Sequence, residues 1–201
     1  MSAPPLAVTP LQGTAGGRHN ARMTDRTVRI SKYLARHLRH DPAAIGITLD
    51  EQGWVPIDEL LAAAALHGFP ITRAELDTVV SDNDKRRYAI SGDRIRASQG
   101  HSVRVDLGLP PVEPPHVLYH GTVSRSLAAI RRSGLLPMSR THVHLSVDRA
   151  TAVRVGARRG VPVVLVVAAG EMHAAGHPFM VSANGVWLTD AVPPEFLLFP
   201  G

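Results

Sequence analysis

The stretch Leu107-Gly-Leu-Pro110-Pro111-Val-Glu-Pro114-Pro115 limits most strongly what this chain can fold into. Each proline fixes φ and removes a backbone donor, so neither a helix interior nor a central strand can pass through this segment. The chain is therefore read as two halves, 24–106 and 116–201, joined by a proline-rich linker at 107–115, with a disordered head at 1–23. The head is rich in Pro, Gly, Ala and Thr and lacks the apolar run of a secretory signal.

In the first half, Thr24-Asp25 can cap a helix whose apolar positions Ile30, Tyr33, Leu34, His37 and Leu38 recur at helical spacing and which must stop before Pro42. Arg39 and His40 fall at its last turn, where the helix dipole alone favours cations. Ile57, Leu60, Leu61 and Ala64 mark a second helix stopped at Gly68, and Thr72-Arg-Ala-Glu75 is a capping box that starts a third. Arg87–Ser91 and Arg94–Ala97 alternate polar and apolar around Gly92-Asp93, which predicts a hairpin. Three helices followed by a hairpin suggest a winged-helix lobe, a design used for nucleic acids and for protein contacts. Lys85, Arg86, Arg87, Arg94 and Arg96 crowd this wing, with Arg94 and Arg96 on one face; a charged, solvated edge strand is the plain alternative.

The second half opens with Val117–Thr122, a strand that runs into Gly121, and continues with a helix from Ser124 to Gly134. In the segment Arg140-Thr-His142-Val-His144-Leu-Ser146, strand alternation would put Arg140, His142 and His144 on one side, with Ser146 capping a helix to about Arg159. Further strands are expected at 161–168, 179–182, 186–189 and 196–199, with Asn184-Gly185 as a turn. Strands outnumber helices, and no Gly-x-Gly-x-x-Gly follows a strand, which argues against a Rossmann domain. The fold class is α+β.

Composition narrows the chemistry. The chain has no cysteine, which excludes a disulfide framework, a thiolate metal site and a Cys nucleophile. No apolar run approaches the ~20 residues of a membrane span, so a cytoplasmic protein with no membrane partner is expected. The net charge of +5 is unevenly placed: residues 24–106 hold twelve Lys/Arg against twelve Asp/Glu, whereas 107–201 hold eight against five. An anion site must therefore come from local clustering. Arg39, Arg87 and Arg140 sit on three separate elements and would form a phosphate clamp if they met, because a guanidinium presents a planar fork to anionic oxygens; His40 could add a donor. Two other readings stay open for the histidines: His120, His142 and His144 as zinc ligands, which Arg140 beside them would oppose, or ordinary buried histidines.

Seven motifs, in order over about residues 27–199, give a resemblance. They are Ser31-Lys32…Leu38-Arg39-His40…Gly46, Gly53-Trp54, Lys85-Arg-Arg87-Tyr88, Arg94-Ile-Arg96-Ala-x-Gln99-Gly-His101-Ser102, Tyr119-His120-Gly121-Thr122, Gly134-Leu135…Met138-x-Arg140-x-His142-Val-His144-Leu-Ser146 and Asn184-Gly185-Val186-Trp187-Leu188-Thr189. Together they resemble the NAD-dependent RNA 2′-phosphotransferases; Tyr88 departs from an expected Phe but keeps the ring. The resemblance implies a winged-helix RNA lobe followed by an ADP-ribosyltransferase-like lobe with a mixed sheet. It implies a catalytic tetrad of Arg39, His40, Arg87 and Arg140, and NAD contacts from His120, Gly121, Thr122, His144, Ser146, Asn184 and Trp187. RNA contacts would come from Lys85, Arg94, Arg96, Gln99, His101 and Ser102. NAD is implied as co-substrate, with no metal; RNA carrying a 2′-phosphate is the implied substrate, tRNA processing the setting, and a monomer the expected state. His142 is left to structural support, and Trp187 has core packing as its plain alternative. A transferase that stops at ADP-ribosylated terminal phosphates would share every motif. A winged-helix regulator that binds a nucleotide without chemistry is the non-enzymatic alternative.

Overall fold

The computed structural model describes residues 25–82 and 86–200; the expected head and Lys85 lie outside the described residues. The protein is α+β, and its described residues form six α-helices, short 3-10 turns and three three-stranded sheets.

Helix α1 (Asp25–His37) turns Ile30 and Leu34 inward, and Leu38 follows them into the core one turn on. Its end is tied by the His37 Nδ1 contact to Asp41 O at 2.9 Å, after which Pro42 opens a 3-10 turn. Helix α2 spans Ile57–Leu66, and α3 (Arg73–Ser81) begins at the full capping box between Thr72 and Glu75 that the sequence predicts. Strand β1 (Val55–Pro56) pairs with β3 (Arg94–Ala97), which pairs in turn with β2 (Tyr88–Ser91) in the expected hairpin. Buried Ile30, Leu34, Leu60, Leu76 and Ile95 form one core beneath these elements. Tyr88 ties the hairpin to α1, its hydroxyl donating to Ser31 O.

The second core gathers Leu118, Leu145, Leu165, Met172, Phe179 and Trp187. Strand β4 (Leu118–Val123) pairs along its length with β6 (Pro162–Val167), and β9 (Leu197–Leu198) extends that sheet. Strands β5 (Val143–Leu145), β8 (Trp187–Thr189) and β7 (Met180–Val181) form the other. Among the described residues every strand pairing is antiparallel, so the sheet expected to be mixed is two antiparallel ones. Helix α4 spans Leu127–Ser133, and α6 (Ala169–Ala174), absent from the sequence reading, follows β6.

Two expectations give way here. Strand character starts only at Val143, because Met138 takes a left-handed φ of 60° and the chain bends through Arg140–His142 before joining the ladder. The cap of α5 (Arg149–Gly156) is Asp148, whose carboxylate accepts from Thr151 N at 2.7 Å. Ser146 is held instead by reciprocal backbone bonds with Tyr119, each 2.9 Å, which join β5 to β4.

Candidate active site

The last turn of α1 and the segment before β5 are joined by one loop. Ser102 N and Val103 N both donate to Arg39 O, at 2.9 and 3.3 Å, while Thr141 N donates to His101 O at 3.1 Å. Gly100, with φ of 88°, supplies the close approach: Arg39 Nη1 and His144 Cε1 both lie within 4 Å of the place its Cβ would occupy. Residues far apart in sequence are thereby brought to one spot.

Arg39 donates from Nη2 to Arg87 O at 3.3 Å, and its guanidinium carbon stands 6.0 Å from the centre of the Tyr88 ring. Burial lowers its pKa, Tyr88 offsets part of that, and the like charges of Arg87 and Arg140 lower it further. Arg140 is lowered by burial and then by Arg159 and Arg158. Among the described residues no carboxylate forms an ion pair with Arg39, Arg87 or Arg140. The charges of Arg87 and Arg140 both reach Arg39, and neighbouring guanidiniums without a paired carboxylate suit an anion.

The histidines divide by their hydrogen bonds. Arg140 Nη1 lies 2.7 Å from His144 Nδ1; a guanidinium can only donate, so this nitrogen carries the lone pair and His144 is neutral with its proton on Nε2. Burial, then Arg140, pushes the His144 pKa down to about 3. His120 Nδ1 donates to His144 O at 3.1 Å, leaving its Nε2 as an acceptor, and burial lowers its pKa as well. His40 is exposed and holds Ser102 Oγ at 3.0 Å through Nδ1, with its pKa lowered first by burial and then by Arg39 and Arg140. His142 contacts Thr141 Oγ1 at 3.0 Å and stands 3.9 Å from Asp190. Among the described residues no three His, Cys, Asp or Glu side chains gather at metal-binding spacing.

The other expected site residues lie in different surroundings. Thr122 is buried, and Trp187 is packed in the core between Leu145 and Val181, its strand partners. Asn184 Oδ1 accepts from Ser182 Oγ at 2.6 Å inside the 182–186 turn. Gln99 is half-buried. Arg94 is paired with Asp50 at 2.8 Å, and Arg96 donates to Gln52 O and Leu107 O while lying 4.5 Å from the Trp54 ring centre. His101 is wholly buried with neither ring nitrogen hydrogen-bonded, and burial followed by Arg39 drives its pKa down to about 4. Arg158 and Arg159 escaped the sequence reading, although Gly156-Ala-Arg158-Arg159-Gly160 stands out as a basic pair between glycines.

The histidines make stability depend on pH. His101 and His144 have folded pKa values of about 4 and about 3, below the ~6.5 of an unfolded histidine, so the unfolded chain takes up the extra protons in between. Stability is complete above about pH 6.5 and declines as pH falls through that window, by at most ~1.4 kcal/mol per pH unit for each histidine. Urea unfolding at about pH 7 and about pH 5.5, where carboxylates stay ionised, should show this decline. In His101→Leu it should be clearly shallower, and an unchanged slope would remove His101 as a source.

Known proteins resemble this sequence over most of its length. A family model described as "RNA 2'-phosphotransferase, Tpt1 / KptA family" matches residues 25–191. A protein of Streptomyces griseus named "Probable RNA 2'-phosphotransferase" is 65% identical over 185 residues, covering 88% of this chain and 98% of its own. Proteins of the same name from Streptomyces coelicolor and Nostoc punctiforme are 66% and 57% identical, over 88% and 86% of this chain and 97% and 96% of theirs.

Proposed function

The chain belongs to the RNA 2′-phosphotransferase, Tpt1 / KptA family and is a transferase enzyme, and from that premise we propose that it removes an internal 2′-phosphate from RNA with NAD as co-substrate. The observation that carries this reading is that the charges of Arg87 and Arg140 reach Arg39, with no carboxylate ion-paired to any of the three among the described residues, next to two neutral histidines. Residues 24–106 serve in it as a winged-helix RNA lobe, and 116–201 as an ADP-ribosyltransferase-like lobe for NAD. The enzyme acts as a cytoplasmic monomer in RNA processing, with tRNA the reference substrate.

The residues fit NAD as a substrate. His120 offers a free Nε2 acceptor and His144 an Nε2–H donor from fixed tautomers, which suits ribose hydroxyls. Arg158 and Arg159, whose charges reach Arg140, suit its diphosphate. In the first step an oxygen of the RNA 2′-phosphate bonds to the nicotinamide ribose carbon as the bond to nicotinamide breaks. In the second the neighbouring ribose 2″-hydroxyl attacks phosphorus, the RNA 2′-oxygen leaves, and the product is ADP-ribose 1″,2″-cyclic phosphate. Arg39, Arg87 and Arg140 hold the phosphate through both steps, and their charge is needed most where it spreads over the pentavalent phosphorus. His40, steadied by Ser102, donates a proton or hydrogen bond to phosphate.

An oligonucleotide with one internal 2′-phosphate should lose it only when NAD is added, releasing nicotinamide in equal amount, and at the same rate with or without EDTA. Loss of activity in EDTA would count against an arginine-only phosphate site. Release of nicotinamide with ADP-ribosylated nucleic acid as the sole end product would favour a transferase that stops after one step.

A further inference from the structure

Cationic side chains on the first half of the chain differ in whether they are already engaged. On the hairpin, Arg94 is neutralised by Asp50 and Arg96 is spent on two carbonyl oxygens and the Trp54 ring. On α1, Arg26 is likewise paired with Glu75 at 3.0 Å, but a second set of cations is less engaged. Arg29, Lys32 and Arg36 are exposed, and their spacing of three and four residues puts them on one helix face. His40, four residues further, continues the same line, because His40 N still bonds to Arg36 O at 2.9 Å.

Among the described residues neither Arg29 nor Lys32 forms an ion pair with a carboxylate, and Arg36 meets only Asp41 in an exposed pair at 3.2 Å. Such an exposed pair is worth little and is readily displaced by a stronger anion. Beside the stripe runs a groove lined by Tyr33, His37 and Phe69. The Tyr33 and Phe69 rings stack at 4.4 Å, and the guanidiniums of Arg26 and Arg29 lie over Phe69 at 5.0 and 5.8 Å. The exposed cations Arg29, Lys32 and Arg36 thus run beside this aromatic shelf along a line about 16 Å long, at 1.5 Å per residue, that ends at His40.

We propose that the Arg29–Lys32–Arg36 face of α1 is a docking track for the sugar–phosphate backbone of single-stranded RNA flanking the modified nucleotide, delivering that nucleotide to His40 and Arg39. The proposal rests on the reading of the substrate as RNA. A repeating anion is the partner that regularly spaced, unneutralised cations recognise, and such contacts position a strand without reading its sequence. The hairpin, its arginines already engaged, is then a support for the site rather than the strand's main contact.

The test uses the full chain and a fluorescent single-stranded RNA of about twelve nucleotides without a 2′-phosphate, so binding is read apart from chemistry. In the triple variant Arg29→Gln, Lys32→Gln, Arg36→Gln, anisotropy at low salt should show Kd raised about tenfold. The slope of log Kd against log [KCl] should fall by about 2, since each single-strand phosphate contact contributes ~0.7. Turnover of a 2′-phosphorylated dinucleotide, too short to reach the stripe, should stay within about twofold of wild type, which also shows that the variant is folded. An unchanged Kd and slope overturn the proposal, as does failure of the wild-type chain to bind the RNA. Displacement by polyglutamate as effective as by RNA of equal charge would make the stripe a general polyanion surface and would also overturn it. Salt-dependent RNA binding through the stripe with no NAD-dependent dephosphorylation would instead defeat the functional reading while leaving the track in place.

Discussion

Arg140→Ala is expected to lower turnover of 2′-phosphorylated RNA by about 10²–10³-fold, the usual cost of removing one preorganised charge donor from a reacting centre. It should also leave ADP-ribosylated RNA as the species that accumulates. In the first step of the proposed reaction the attacking phosphate already carries its charge, and Arg39 and Arg87 would remain to hold it. In the second step negative charge spreads over five oxygens on phosphorus, and losing a guanidinium costs more. The structure adds a second consequence. Arg140 Nη1 occupies the lone pair of His144 Nδ1 at 2.7 Å and is, after burial, the largest influence holding His144 neutral. Without it the imidazole is free to turn and to take up a proton at a higher pH. Arg140→Ala should therefore also weaken NAD binding and move the acid limb of the NAD-binding profile upward. Arg140→Lys keeps the charge but not the fork, and it should recover only part of the loss. Single-turnover assays with labelled RNA check both points. Turnover that survived in Arg140→Ala without an accumulating intermediate would remove Arg140 from the reaction.

The contrast between what the sequence disclosed and what it concealed follows from the range of the forces involved. The capping box at Thr72 and Glu75, the Gly92-Asp93 hairpin and the break before Pro42 are set by neighbours within four residues, and all three were readable. The strand expected across Arg140–His144 was not, since a left-handed residue at Met138 decides the bend and alternation of side chains does not report φ. The cap of α5 was misread because Ser146 and Asp148 are both good caps; pairing of Ser146 with Tyr119, twenty-seven positions away, takes it out of the competition. The approach of Arg39 to Arg87 and Arg140 depends on Gly100 and on backbone bonds from residues 102, 103 and 141. Residue types named the candidates, and tertiary contacts alone could join them. His101 shows the limit most clearly: the resemblance names it only as an RNA contact, and nothing in the sequence signals that it is wholly buried beside Gly53, where a Cβ would come within 3.3 Å of its Nε2.

Gly121→Ala should be among the most damaging single methyls in the second half of the chain. Strand β4 and helix α5 touch backbone to backbone here, and a Cβ on Gly121 would overlap the Ala152 carbonyl oxygen and stand 2.9 Å from Gly156 N. The reciprocal contact is equally close, since a Cβ on Gly156 would meet Thr122 O at 2.9 Å. Neither neighbour is a side chain that can swing away, so the helix must lift from the strand. That exposes Ala152 and Val164 and carries the Ala157–Arg159 turn away from His120 and Arg140. Overpacking against fixed backbone costs at least the ~1–3 kcal/mol seen when extra methylenes are forced into cores. For a chain of this size that lowers Tm by several degrees or leaves the protein insoluble. Gly92→Ala is the matched control: φ is 60°, but no atom lies within 4 Å of the new Cβ. It should cost only the ~1–2 kcal/mol of a left-handed alanine and leave NAD binding untouched. Calorimetric melting with NAD titration of both variants separates the two cases. Equal melting temperatures and equal NAD affinities would mean that the β4–α5 contact does not hold the nucleotide side of the site in place.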